Sequence, residues 1–138
     1  MQLSFVIIDD TELDHFIARK MLRNANRKFR VKSFIDAIQA LEHIIAGSID
    51  DDAKIIMIFV DIYMPLMDGF EFIEEFEKLD KAIQDKYYIV ALTSSRDIFD
   101  INRVNSYRSF KAVIAKPMTA DELSSLINKA TIDYGIQL

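Results

Sequence analysis

Cysteine is absent from the 138 residues. Disulfides, thiolate nucleophiles and cysteine-based metal sites are therefore excluded. Glycine occurs three times and proline twice, too rarely for a disordered or fibrous chain. No apolar run exceeds about six residues, whereas a membrane helix needs about 20. The N-terminus has no basic stretch ahead of a longer apolar one, so no signal peptide is evident. There is no basic stripe, and a net charge of -5 argues against nucleic acid as a direct partner. The expectation is a cytoplasmic protein without membrane insertion. What the chain does have is apolar residues, at 51%. That is enough to build the core of one domain, expected to span residues 1–138.

Apolar strand-like runs alternate with helical patterns five times. Leu3 to Ile8, Ile55 to Val60 and Tyr88 to Leu92 are apolar on both faces, as buried parallel strands are. A last strand runs from about Ala112 to Ala115. A polar run from Phe29 to Phe34 reads as an edge strand. Helices are marked by Leu13, Phe16, Ile17 and Met21; by Ile38, Leu41, Ile44 and Ile45; by Phe72, Ile73, Phe76 and Leu79; by Ile98, Ile101 and Val104; and by Leu123, Leu126, Ile127, Ala130 and Tyr134. Gly47 suits a helix C-terminal cap, and Thr119 with Glu122 forms a capping box. This pattern predicts an α/β fold. Right-handed crossovers make it a doubly wound, five-stranded parallel sheet flanked by five helices. The polar second strand at an edge suits strand order 2-1-3-4-5, with its ligand crevice between strands 1 and 3.

The strand ends carry the chemistry. The first strand stops at Asp9-Asp10, the third at Asp61, the fourth at Thr93-Ser94-Ser95 and the last at Lys116-Pro117. In an open parallel sheet all of these ends lie at one edge. Each has an ordinary reading too. Asp9 and Asp10 could cap a helix, as could Thr93, Ser94 and Ser95. Asp61 could be a turn residue, and Asp68 reads best as a helix cap. Pro65 fixes φ and Gly69 permits positive φ in the loop after Asp61. Lys116 is harder to explain away, because an ammonium at the end of an apolar strand needs a counter-charge. A cis bond at Pro117 would aim it inward, although trans is the default. Adjacent carboxylates repel, and a hard dication with oxygen ligands relieves the repulsion.

Asp-Asp, Asp-x-x-Met-Pro-x-x-Asp-Gly, Thr-Ser and Lys-Pro, in this order and spacing, resemble the receiver domain of response regulators in two-component signal transduction. The resemblance covers essentially the whole chain. It implies that Asp61 is the phosphoacceptor, taking a phosphoryl group from a phosphohistidine. It implies that Asp10 binds Mg²⁺ directly and Asp9 through water, with the backbone carbonyl of Tyr63 completing the protein ligands. Thr93 and Lys116 would contact the acyl phosphate, and Thr93 would swing toward it and pull the loop before the fourth helix. Such chemistry needs positioning and charge neutralisation more than covalent help. The implied partners are a sensor histidine kinase or a histidine phosphotransfer protein. A target would dock on the face of the fourth helix, last strand and last helix, where Arg103, Arg108 and Lys111 favour an acidic partner. A homodimer would use the same face. No output domain is expected, and no enzyme acting on outside substrates.

Two positions depart from the family pattern. Val113 stands where the family has a rotamer-switching aromatic, with Tyr107 as a nearby substitute. Thr11 stands where an acidic residue is common. Tyr63 and Ser95 occupy positions that set the phosphoryl lifetime, and bulky Tyr63 would shield the phosphoryl group from water. An intermediate phosphorelay carrier is the alternative reading. A phosphatase with an aspartyl nucleophile is a weaker one, since Tyr63 stands where its general acid would be. A docking module with an unused site is weaker still. His15 and His43 have no metal-ligand spacing. Asp50 to Asp52 reads as a solvated loop.

Overall fold

The computed structural model describes residues 2–50, 52–94 and 98–138. In chain order the elements are β1 (Leu3–Ile8), α1 (Glu12–Ala25), β2 (Val31–Phe34), α2 (Ala37–Ala46), β3 (Ile55–Asp61) and α3 (Gly69–Phe76). Then come α4 (Lys81–Gln84), β4 (Tyr87–Thr93), α5 (Ile98–Asn105), β5 (Phe110–Ala115) and α6 (Ala120–Tyr134). The five strands are all parallel and lie in the order β2-β1-β3-β4-β5. This is the predicted topology. The single-turn α4 is a sixth helix beyond the five expected, too short to show a periodic stripe.

The continuous apolar strands follow from burial on both faces. Leu3, Phe5 and Ile7 of β1 join Ile55, Met57, Phe59, Tyr88, Val90 and Leu92 in a core closed by Leu22 of α1 and by α6. The alternate residues Val6, Ile8, Ile56, Ile58, Val60, Ile89 and Ala91 face α2, α3 and Val104 of α5. Every residue of β1, β3 and β4 is buried, as a sandwiched parallel sheet requires. β2, with three of its four residues only half-buried, takes the edge.

Helix ends are set by short-range chemistry. Asp68 and Thr119 form reciprocal capping boxes with Glu71 and Glu122. Gly47 closes α2 in the left-handed conformation at φ 68°. The stripe expected on α1 is a correction, because Leu13, Phe16 and Ile17 are exposed. The inward face carries His15 and Leu22, with Ala18 and Met21 partly covered. A similar rotation applies to α2, whose buried residues are Ala37, Ala40 and Ile44 while Ile38 and Ile45 are exposed. On α2 the small Ala37 and Ala40 let the helix lie close to the sheet, so its bulkier apolar residues Ile38 and Ile45 are not the buried ones. On α5, Ile98 is exposed and Val104 is the buried anchor.

Candidate functional site

The register places the ends of β1, β3, β4 and β5 side by side. Ile8 pairs with Val60, Asp61 with Leu92 and Thr93 with Ala115. Asp9, Asp61 and Thr93 are buried there, whereas Asp10 is exposed. One carboxylate oxygen from each of Asp9, Asp10 and Asp61 lies within 4.8 Å of the others. Three hard anionic oxygens at this separation fit a small dication such as Mg²⁺, which takes oxygen ligands and keeps several waters.

Lys116 reaches across from β5. The backbone amide of Lys116 donates to the carbonyl of Thr93 at 2.8 Å, and the Lys116–Pro117 peptide is cis. The Lys116 Nζ donates to Asp9 Oδ2 at 2.7 Å, Asp14 Oδ2 at 2.8 Å and Asp61 Oδ2 at 3.1 Å. An ammonium has three N–H donors, so all three are in use. Burial alone would push the lysine down. Its bonds to Asp14 and Asp9, with the charges of Asp61 and Asp9, outweigh burial and hold it well above the usual range.

Asp61 behaves differently. Burial raises its carboxyl above the ordinary carboxylate value, against the lowering by the Tyr63 amide and by Lys116. The Tyr63 N–H donates to Asp61 Oδ1 at 3.0 Å, so the loop after β3 orients the carboxylate. That loop turns at Leu66, which takes φ 69°, whereas the only positive-φ glycines among the described residues are Gly47 and Gly135. Gly69 is therefore not needed for positive φ. It is needed for close approach, since a Cβ there would meet the Ile62 Cα at 2.7 Å and the Asp61 carbonyl oxygen at 3.1 Å. Its N–H donates to the Ile62 carbonyl at 3.1 Å.

On the β1 side, Asp9 Oδ1 accepts from the Thr11 N–H at 3.0 Å and the Thr11 hydroxyl at 3.1 Å. The α1 N-cap is Thr11, so capping does not explain Asp9 and Asp10. His15 Nε2 donates to the Asp9 carbonyl at 2.7 Å, because a carbonyl only accepts. Its Nδ1 is buried without a partner.

Of the sequence-derived site residues, Asp9, Asp10, Asp61 and Lys116 come together directly. Thr93 sits on the adjacent strand end, and Tyr63 contributes its amide while its side chain is half exposed. Ser95 lies outside the described residues. Asp14 escaped sequence reasoning. In the first turn of α1 it read as an ordinary acid at a helix N-terminus. The signal for it was its place four residues past Asp10, since helical side chains lean toward the N-terminus and so back over the strand end. Its carboxyl is lowered, chiefly by the hydrogen bond to Lys116 and against some burial.

Farther out, Val113 and Tyr107 are half-buried and pack on the same core. Arg103 does not project freely. Its guanidinium lies 3.9 Å from the Phe70 ring centroid and 3.9 Å from Glu74 Oε1. Arg108 donates to Gln84 Oε1 at 3.2 Å, while Lys111 is exposed. No helix among the described residues is long and apolar enough to cross a membrane.

Comparison with known proteins points the same way. The family model for the response regulator receiver domain matches residues 5–128. The fold superimposes on a response regulator receiver protein from Dyadobacter fermentans with a TM-score of 0.81 and 27% identity, covering 92% of this chain and 96% of that one. A two-component response regulator from Cytophaga hutchinsonii gives 0.80 at 26% identity, with coverage of 94% and 97%. One from Legionella pneumophila, at 20% identity, TM-score 0.77 and coverage of 94% and 98%, adds likeness of fold alone. No curated protein matches in sequence. The chain belongs to the response regulator receiver domain family.

Proposed function

We propose that Asp61 is the phosphoacceptor of this receiver domain, with Asp9, Asp10 and Asp61 holding Mg²⁺ and with Lys116 and Thr93 receiving the phosphoryl oxygens. The observation that carries this reading is the contact of the Lys116 ammonium with Asp61 Oδ2 and Asp9 Oδ2 inside a three-carboxylate cluster. A carboxylate oxygen of Asp61 attacks phosphorus, the phosphorus–nitrogen bond of a phosphohistidine breaks, and the freed imidazole nitrogen takes a proton from water. Bound Mg²⁺ supplies positive charge to the phosphoryl oxygens. Lys116 is already fixed where a new anionic oxygen on Asp61 would lie. The Tyr63 amide fixes the other carboxylate oxygen and so the direction of attack. The backbone carbonyl of Tyr63 is assigned as the remaining protein ligand to the metal, and the Tyr63 ring as a cover that slows hydrolysis.

The phosphodonor, a histidine kinase or a histidine phosphotransfer protein, would seat on the exposed Leu13, Phe16 and Ile17 of α1. These lie beside the site and next to a groove of about 620 Å³ between α1 and α6. The target would dock on the face of α5, β5 and α6. There Lys111 and Arg108 carry the available positive charge, because Glu74 offsets that of Arg103.

The test is incubation with acetyl phosphate, with and without Mg²⁺, followed by intact mass. The expected product is a gain of about 80 Da, one phosphoryl group, that requires Mg²⁺ and is absent from Asp61→Ala. An adduct that persists in Asp61→Ala would place the acceptor elsewhere.

A further inference from the structure

Lys116 has no donor to spare. Its three N–H groups serve Asp9, Asp14 and Asp61. If Asp61 is the phosphoacceptor, the reading on which this inference rests, then the phosphoryl group brings new oxygens to the end of Asp61. Phosphorylation turns the Asp61 carboxylate into a weak, neutral acceptor, so that donor passes to one phosphoryl oxygen. To serve a second, Lys116 must release a further carboxylate. The three are not equally easy to release. The Asp9 side chain is 1% exposed, and its other oxygen is held by Thr11. The Asp61 side chain is 11% exposed and carries the new group. The Asp14 side chain is 34% exposed, in the first turn of a surface helix. Water can replace Lys116 on Asp14 at small cost, whereas an abandoned Asp9 would be a buried anion without its cation.

We propose that Asp14 is a positioning residue that tethers Lys116 in the unphosphorylated site and competes with the phosphoryl group for it. Asp14 thereby weakens the hold of the site on a phosphoryl group. Its carboxylate is the one released on phosphorylation, and its removal leaves one Lys116 donor free in advance.

The probe is beryllofluoride with Mg²⁺, since beryllofluoride adds to a carboxylate in place of a phosphoryl group without turning over. The bound fluorine signals in ¹⁹F NMR give the affinity. A partly exposed ion pair has modest strength, so Asp14→Ala, which removes the acceptor together with the charge, should bind about three- to fivefold more tightly than the wild type. Glu12→Gln removes the same charge from the same helical turn without touching Lys116, and it should leave the affinity unchanged. Asp14→Asn keeps an acceptor oxygen for Lys116, so it should tighten binding less than Ala, and thermal melts would verify that each variant is folded. Equal tightening in Asp14→Ala and Glu12→Gln would reduce the effect to general charge and overturn the tether. An unchanged or weaker affinity in Asp14→Ala would overturn it as well. Failure of the wild type itself to take up beryllofluoride would instead strike at Asp61 as acceptor, and the tether would fall with it.

Discussion

At the scale of single residues, the site sets a buried acid against a saturated base. Asp61 is raised mainly by burial, so its ionised form is a load on the folded state. A carboxyl raised on folding favours folding below its unfolded value, near 3.8, and loses that advantage as pH climbs through its folded value. The load is present once the pH is above the folded value. Asp61→Asn should therefore melt at a higher temperature than the wild type at pH 7 without metal. The gap should close as pH falls toward 4 and the wild-type carboxyl takes up a proton. Thermal melts across that range decide the matter, and a less stable Asn variant at pH 7 would refute it. Lys116 runs the other way. Its raised value makes its contribution complete below 10.5 and lost only above, as pH passes the folded value. It therefore adds no slope between pH 7 and 10. The sequence pointed to Lys116 because a strand-end lysine demands a counter-charge. It did not point to Asp14, because one acid in a first helical turn looks like any other until the tertiary fold brings a cation to it.

Among the elements, the strands were the most legible part of the sequence. Burial on both faces leaves short continuous apolar runs, as in Ile55 to Val60, whose length and β-branched content favour a strand over a buried helix. Helix faces were read less well. On α1 the larger apolar residues Leu13, Phe16 and Ile17 point outward, and the buried contacts are made by His15, Ala18, Met21 and Leu22. Periodicity reports an apolar stripe but not whether the sheet or a partner covers it. The loop after Asp61 shows the same limit. Asp-Gly suggested a turn that needs positive φ, yet Gly69 is required by the approach of the Ile62 backbone. An added methyl would meet backbone at 2.7 Å, and backbone has little room to move. Gly69→Ala should therefore destabilise the domain by about 2–3 kcal/mol, a value typical of overpacking. It should also slow phosphorylation by disturbing the loop that holds Asp61. Urea titration and the acetyl phosphate assay measure the two effects. An Ala variant within about 0.5 kcal/mol of the wild type would mean that the contact relaxes freely.

Across the whole molecule, strand order was predictable because a single polar strand had to lie at an edge and right-handed crossovers fixed the rest. The contacts that join α3 to the α5 region were not, since they bring together side chains distant in sequence. Phe70 and Glu74 of α3 follow directly on the loop from Asp61. The Glu74 carboxylate accepts from the Tyr107 hydroxyl at 2.6 Å, which holds that hydroxyl above its usual value. Arg103 of α5 lies over the Phe70 ring, and Tyr107 stacks beside it at 6.2 Å. Val104 is the only described residue of α5 that is buried, so this cluster is a main restraint on the helix. Tyr107→Phe keeps the ring and deletes one hydrogen bond, a loss of about 0.5–1.5 kcal/mol. If the cluster restrains α5 locally, amides of residues 98–105 should exchange about two- to tenfold faster, the span of that energy. Amides of β1 and β3, which open only with global unfolding, should change much less. Native-state hydrogen exchange resolves the two sets. Equal acceleration everywhere would make Tyr107 an ordinary contributor to global stability, and no change in α5 would mean that the hydroxyl bond to Glu74 does not restrain the helix.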